Sequence, residues 1–338
     1  MKPHPLLSPD RPRRSERELI VYDDTPAPEP GAIEAWAAAL GLPPAHWTVV
    51  RRLLGRVVAV GGREAANPEW VLRGGRGGPH PGHFARAAVN AGLLARFAAA
   101  HPAELLAPDP GLVRLGDWSG VSLLATPYLS GRSLAPERKL SAGECIALGA
   151  EIPALVRLVT QMAAFTPLVP AGPFLRGPYI SRCVARVESR LARLVEVDGL
   201  EPVQASRIGR DFARSLEAAT LRPTFCHGEL TGWHVLRRSD GRLCLIDLET
   251  MGTRDPQHLD DSVFVMRTWA LNGAPAIAQA FLAARRASLP GPERAVYDAE
   301  LAWHWPYAAL RTRIESLAWP DRTAVRSFWT WAFARSES

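Results

Sequence analysis

The chain of 338 residues is 47% hydrophobic and 22% charged, which excludes wholesale disorder and fits one large or two moderate domains. Its 40 Lys+Arg against 34 Asp+Glu give a formal charge of +6. Such diffuse basicity suits an anionic small ligand such as a nucleotide and argues against a nucleic-acid partner. Nearly all the positive charge is arginine, since Lys2 and Lys139 are the only lysines.

Residues 1–30, rich in Pro, Arg and Asp without a sustained period, read as a flexible N-terminal arm. From Gly31, AIEAWAAALGL predicts a short helix closed by Gly41 and the prolines that follow. WTVVRRLL, RVVAVGG and EWVLRGG are β-branched runs separated by Gly55 and by the turn around Asn67-Pro68, and they predict an antiparallel sheet. HFARAAVNAGLLARFAAAHP predicts a helix stopped by Pro102, and GLVRLGDW and VSLLATPYL two further strands joined at Ser119-Gly120. Together these define a small strand-rich lobe over 31–129.

Over 130–338 long helices dominate. GECIALGAEIPALVRLVTQMAAF carries apolar residues at three-and-four spacing, as a buried amphipathic helix does. SRCVARVESRLARLVEV and ASRIGRDFARSLEAATL predict two more, and the segment from Asp260 to Ala334 reads as helical and tryptophan-rich. Between them HVLRRS and RLCLIDLE, joined by Asp240-Gly241, predict a hairpin near the centre of this second lobe. The four cysteines form no CxxC pair and read as apolar fillers in a reduced compartment. MKPHPLLSPDRPRRSERELI lacks the apolar core of a signal peptide, and no stretch approaches the roughly 18 uninterrupted apolar residues of a membrane span. A cytoplasmic protein without a membrane partner is the expectation.

Polar side chains concentrate in residues 225–261, FCHGELTGWHVLRRSDGRLCLIDLETMGTRDPQHLDD. If the second strand runs on to Glu249, then Asp247 and Glu249 share one face, because side chains repeat every second residue. Two carboxylates facing a pocket in a basic protein suit a magnesium ion that bridges to nucleotide phosphates.

HGELTGWHVL followed by LIDLE resembles the HGDxxxxN and IDxE/D motifs of aminoglycoside phosphotransferases and choline kinases. LLATPYLSGRSL is similar to the hinge of that family, EWVLRGG to its third strand, and RDPQHLDD to its GDPxxDLA segment. The resemblance covers roughly 45–265. It implies an α+β, bilobal, protein-kinase-like fold with a small antiparallel-sheet N-lobe and a large helical C-lobe whose terminal helices hold the acceptor. It also implies ATP and Mg2+ as cofactors.

Position by position, the resemblance puts Glu229 where the family has its catalytic Asp, which orients or deprotonates the acceptor hydroxyl. Asp247 stands as the principal metal ligand and second catalytic residue, with Glu249 beside it as a further ligand or as the partner of an arginine such as Arg254. His234 replaces the metal-binding Asn, and Arg73 replaces the lysine that pairs the nucleotide phosphates. Backbone around Pro127 and Leu129 would meet the adenine edge. Asp260 and His227 would brace the catalytic loop.

The departures matter as much. Glu229 sets its carboxylate one methylene further out, His234 offers nitrogen where magnesium prefers oxygen, and Arg73 exchanges a point charge for a planar fork. The helix after the third strand has no acid to pair with that cation, and the turn that would cover the phosphates has Gly55 and little else of a glycine-rich loop. Two readings therefore stand. One is a phosphotransferase acting on a hydroxyl of a small molecule, or of a peptide Ser or Thr as in natural-product or lanthipeptide-type biosynthesis. The other is a pseudokinase-like nucleotide-binding scaffold or partner subunit. Trp303, Trp305, Trp319, Trp329 and Trp331 are expected in the helical core rather than as a stacking platform.

Overall fold

The structure is a computed structural model that describes residues 27–53, 56–76, 80–165 and 176–336. The arm up to residue 26 and the turn at Gly55 lie outside the described residues. The chain divides into two compact units. Of the described residues, one unit holds 27–133 together with His234–Met251, and the other holds those from 134 to 233 and from 252 to 336.

The first unit is built on a five-stranded antiparallel sheet in the order β1-β2-β3-β6-β5. Its strands are β1 (His46–Leu53), β2 (Arg56–Gly62), β3 (Trp70–Arg76), β5 (Arg114–Trp118) and β6 (Val121–Pro127). Alternation decides its faces. Val57, Ala59, Leu72, Leu123 and Ala125 pack on α1 (Ala32–Ala39) through Ile33, Trp36 and Ala37. The Trp36 ring lies so close to Gly74 that a Cβ there would overlap it, which accounts for the glycine in EWVLRGG. On the opposite face Leu124 meets Phe84 and Ala87 of α2 (His80–Ala100). Ser119 and Gly120, with φ of 47° and 75°, form the β5–β6 hairpin turn. Both central residues at positive φ match the twist of the strands they join.

A four-stranded sheet in the order β4-β10-β9-β7 belongs to the same unit. It contains β4 (Leu105–Leu106), β7 (Arg132–Ser133), β9 (Val235–Arg237) and β10 (Leu243–Leu245). The hairpin expected over HVLRRS and RLCLIDLE is therefore β9–β10, but its second strand stops at Leu245. Asp247 adopts the left-handed conformation, φ 61° and ψ 57°, and Leu248–Thr250 form a 3-10 turn. This corrects the expectation that Asp247 and Glu249 alternate along one strand: the left-handed residue breaks the pleat.

The second unit is helical, with α3 (Ala142–Phe165), α4 (Arg176–Val197), α5 (Pro202–Ala218), α6 (Leu259–Met266), α7 (Pro275–Ala287), α8 (Gly291–Glu315) and α9 (Thr323–Ser336). A two-stranded ribbon, β8 (Pro223–Cys226) with β11 (Gly252–Pro256), is set among them. Tyr179, Cys183, Val187, Leu191 and Leu194 of α4 are spaced by three and four. They pack with Ile208, Phe212 and Leu216 of α5 and with Trp303 and Leu310 of α8. Trp331 lies against Trp269 and Trp305, at 4.8 and 4.9 Å between ring centroids, and Trp303 and Trp305 are buried. These tryptophans pack helices together, as expected. The α+β class, with a small antiparallel-sheet lobe and a large helical lobe, is what the structure shows. Among the described residues no helix is long and apolar enough to cross a membrane.

Candidate active site

In the helical unit β8 leads into the loop that carries His227, Gly228 and Glu229. Gly228 turns the chain at φ 82°, a conformation costly for any residue with a side chain. Asp260, in the first turn of α6, accepts the N–H of His227 at 2.7 Å and of Gly228 at 2.8 Å, one on each carboxylate oxygen. Both Asp260 and His227 are buried, so the expected bracing of this loop is a closed pair of hydrogen bonds. Burial pushes the Asp260 carboxyl pKa above its ordinary value, against the opposing pull of His227 and the two N–H donors.

Glu229 emerges from that loop one-third exposed and accepts a hydrogen bond from Arg311 Nη2 at 2.6 Å. Arg311 also donates from Nε to Glu315 Oε1 at 2.9 Å, one turn along α8. Arg267 Nη1 reaches the second Glu315 oxygen at 2.5 Å. The result is a chain of alternating charge, Glu229–Arg311–Glu315–Arg267. Burial acts to raise the Glu315 pKa, but Arg267 and Arg311 outweigh it and hold it at about 2. Burial acts to lower the Arg311 pKa, but Glu315 and Glu229 carry it above its ordinary value.

In the sheet unit the Asp247 turn lies beside His234. His234 Nε2 is 3.5 Å from Asp247 Oδ2, and the His234 carbonyl accepts the Ile246 N–H at 3.0 Å, which ties the two ends of the hairpin together. The turn is also held from β2 and α2. Arg56 grips the Glu249 carboxylate through both oxygens, at 2.9 and 3.1 Å. Asn90 Nδ2 donates to the Leu248 carbonyl at 2.6 Å and Arg86 Nε to the Glu249 carbonyl at 3.3 Å. His83 Nδ1 lies 3.9 Å from Glu249. Burial lowers the His83 pKa, with Arg86 and Arg56 adding to it against the pull of Glu249, so this contact is not an ion pair at neutral pH.

Arg73, mid-strand in β3 opposite Val58 and Leu124, shares a sheet face with Arg56. Its side chain is half-buried, and no hydrogen bond or ion pair engages it among the described residues. Pro127 ends β6 opposite Trp70, Tyr128 donates its N–H to the Glu69 carbonyl at 2.8 Å, and half-buried Leu129 follows.

The structure thus pairs Asp247 with His234, while Glu249 is taken by Arg56. No group of three His, Cys, Asp or Glu side chains suited to a metal is found among the described residues. The residues that sequence reading missed are Arg56, Arg86, Asn90 and Arg311. Arg56 was within reach, because alternation along RVVAVGG places it on the face of Arg73. Arg311 carries no local signal, being 82 residues from the glutamate it holds.

The family model of the phosphotransferase enzyme family (APH) matches residues 46–299. No curated protein sequence matches the chain significantly. Among solved structures, a thermostable mutant of aminoglycoside phosphotransferase APH(4)-Ia in ternary complex with ADP and hygromycin B is similar with a TM-score of 0.58 at 16% identity. That likeness covers 91% of this chain and 97% of that one. Spectinomycin phosphotransferase APH(9)-Ia, in complex with ADP and spectinomycin, gives 0.52 at 11% identity over 93% of this chain and all of that one. At these identities the likeness establishes a shared fold. With the family match running through both compact units and over well more than half of the sequence, the chain belongs to the phosphotransferase enzyme family.

Proposed function

We propose that this protein is an ATP- and Mg2+-dependent phosphotransferase that moves the γ-phosphate to a hydroxyl of a small molecule or of a peptide Ser or Thr. The observation that carries this reading is the Asp247 turn. A non-glycine residue held at φ 61° is strained by the order of 1–3 kcal/mol, and such strain collects where a side chain must be aimed. Four side chains, Arg56, Arg86, Asn90 and His83, surround the two residues that follow it.

Asp247 supplies one hard carboxylate, and magnesium at nucleotide sites needs only one or two, the phosphates completing its shell. The donor set therefore fits, with Asp247 as the holding residue, His234 as its neighbour and Glu249 as the anchor of the turn. When bound, the ion neutralises charge on the transferring phosphoryl group. Arg73, a cation with no counter-ion among the described residues, is suited to the nucleotide phosphates. Pro127 ends β6 and Leu129 follows it, where an adenine edge would meet backbone.

At the acceptor side the hydroxyl oxygen bonds to the γ-phosphorus as the bond to ADP breaks, and the hydroxyl proton passes toward Glu229. A carboxylate paired with a guanidinium is a weak base. That suffices, because phosphoryl transfer through a loose transition state needs the hydroxyl oriented more than deprotonated. Similar structures hold a nucleotide together with hygromycin B or spectinomycin, which supports a nucleotide site beside an acceptor site.

The Glu229–Arg311 pair and the imidazole at 234 also favour a second reading, a nucleotide-binding scaffold or partner subunit. ATP turnover decides between them, measured as ADP release with a panel of hydroxyl acceptors for the wild type and Asp247→Ala. Turnover abolished by the substitution supports the enzyme. Nucleotide binding without turnover for any acceptor supports the scaffold.

A further inference from the structure

Arg311, which holds Glu229, does not stand alone: α4 sets two further guanidinium groups, Arg186 and Arg190, on Tyr307 of the same helix α8. Arg190 lies 4.5 Å over the ring, and its Nη1 donates to the Tyr307 carbonyl at 3.3 Å. Arg186 Nη1 donates to the Tyr307 hydroxyl at 3.4 Å. Arg311 follows Tyr307 by one helical turn and so shares its face of α8. Tyr307 itself is seated on Phe212, with near-parallel rings at 6.1 Å.

The charges in this group do not balance. Glu229 and Glu315 are shared between Arg311 and Arg267. No carboxylate pairs with Arg186 or Arg190 among the described residues, although α4 also presents Arg182 one turn earlier, over Tyr179. Arg190 is half-buried, and burial first, with the neighbouring Arg311 after it, lowers its pKa against the opposing pull of Tyr307 and Glu315. A partly desolvated cation beside a second cation is unfavourable until an anion joins them. A polycationic acceptor would meet these guanidinium groups on its way to Glu229 and be repelled.

We propose that the acceptor carries an anionic group, a carboxylate or a phosphate, and that Arg190 and Arg186 bind it so that the acceptor hydroxyl falls at Glu229. This rests on the reading of Glu229 as the carboxylate that meets the hydroxyl. Arg190 and Arg186 are thereby specificity-determining residues, and Tyr307 is the platform that holds their forks apart and aligned.

The test uses the full chain saturated with a non-hydrolysable ATP analogue and Mg2+, titrated calorimetrically with four small hydroxyl compounds. Glycerate carries a carboxylate, glycerol 3-phosphate a phosphate, glycerol no charge and serinol a cation. At least one anionic compound is expected to bind tenfold or more tightly than glycerol and serinol. Arg190→Gln and the more exposed Arg186→Gln are each expected to cut that preference at least fivefold, with Arg190→Lys retaining part of it. A purely structural Arg190 would alter thermal stability and leave the preference intact. Equal or tighter binding of glycerol or serinol overturns the proposal, as does no binding of either anion, or a preference that survives both substitutions. Because this titration needs no turnover, it remains readable if the chain proves to be a scaffold. Failure of the phosphotransferase reading shows separately, as absent ADP release.

Discussion

Arg56 holds Glu249 through both carboxylate oxygens, with the two side chains only 19% and 12% exposed. A strand cation thus clamps the turn that begins at Asp247. The resemblance implies a different wiring, in which the β3 cation pairs with an acid on the following helix. Here α2 has no such acid and instead supplies Arg86 and Asn90 to the carbonyls of the same turn. The gripped acid is Glu249 and the gripping cation is Arg56 of β2, and Arg73 has no ion-pair partner among the described residues.

Removing one member of that clamp strands the other in a partly buried site. Arg56→Ala is expected to lower stability by about 2 kcal/mol, below the 3–5 of a fully buried pair. A cycle with Glu249→Ala should show a coupling of about 1–3 kcal/mol, since contacting pairs are not additive. Urea unfolding of the four proteins checks this, and simple additivity would contradict it.

Arg73→Ala should behave oppositely. With no partner lost, stability should change by less than about 0.5 kcal/mol, as for substitutions that touch no special feature. Affinity for ATP should fall roughly tenfold, the worth of about 1.4 kcal/mol at one charge-assisted contact. Unfolding and nucleotide titration on the same preparation separate the two effects.

These two arginines show what was legible in the sequence and what was not. Period-two runs located every strand of the large sheet, and three-and-four spacing located α3, α4 and α5, because burial on one face writes itself into the chain, whereas the segment after Asp260 read only as one helical stretch. HGEL and LIDLE marked the loop of Glu229 and the turn of Asp247. What stayed hidden was non-local or conformational. Glu229 and Arg311 meet across 82 positions, and the left-handed Asp247 breaks the pleat that the alternating run LIDLE would otherwise continue past Leu245.

His304 gives a pH dependence. It is fully buried against Trp303, with ring centroids 3.7 Å apart. Burial first, and His258 after it, lower its pKa from 6.5 to about 3. The unfolded chain binds a proton in that window and the folded one does not, so its contribution to stability is present above about 6.5 and lost as pH falls toward 3. His304→Gln should flatten the slope of stability against pH between those values, measured by urea midpoints.

Phe212 joins the helical core to the Tyr307 platform, edge-on to Trp303 at 6.4 Å. Phe212→Ala should cost about 3–5 kcal/mol through the cavity it leaves. Circular dichroism during denaturation reads that loss directly, and a cost below about 1 kcal/mol would deny the packing of α4, α5 and α8 described above.

The central claim is that the clamped Asp247 turn serves phosphoryl transfer. Its most direct measure is acceptor-dependent ADP release by the wild type and by Asp247→Ala, with folding of both verified by their unfolding midpoints. The account predicts turnover in the wild type and a loss of at least about a hundredfold in the variant, as removal of a group stabilising transition-state charge produces. Equal turnover in the two proteins would contradict it.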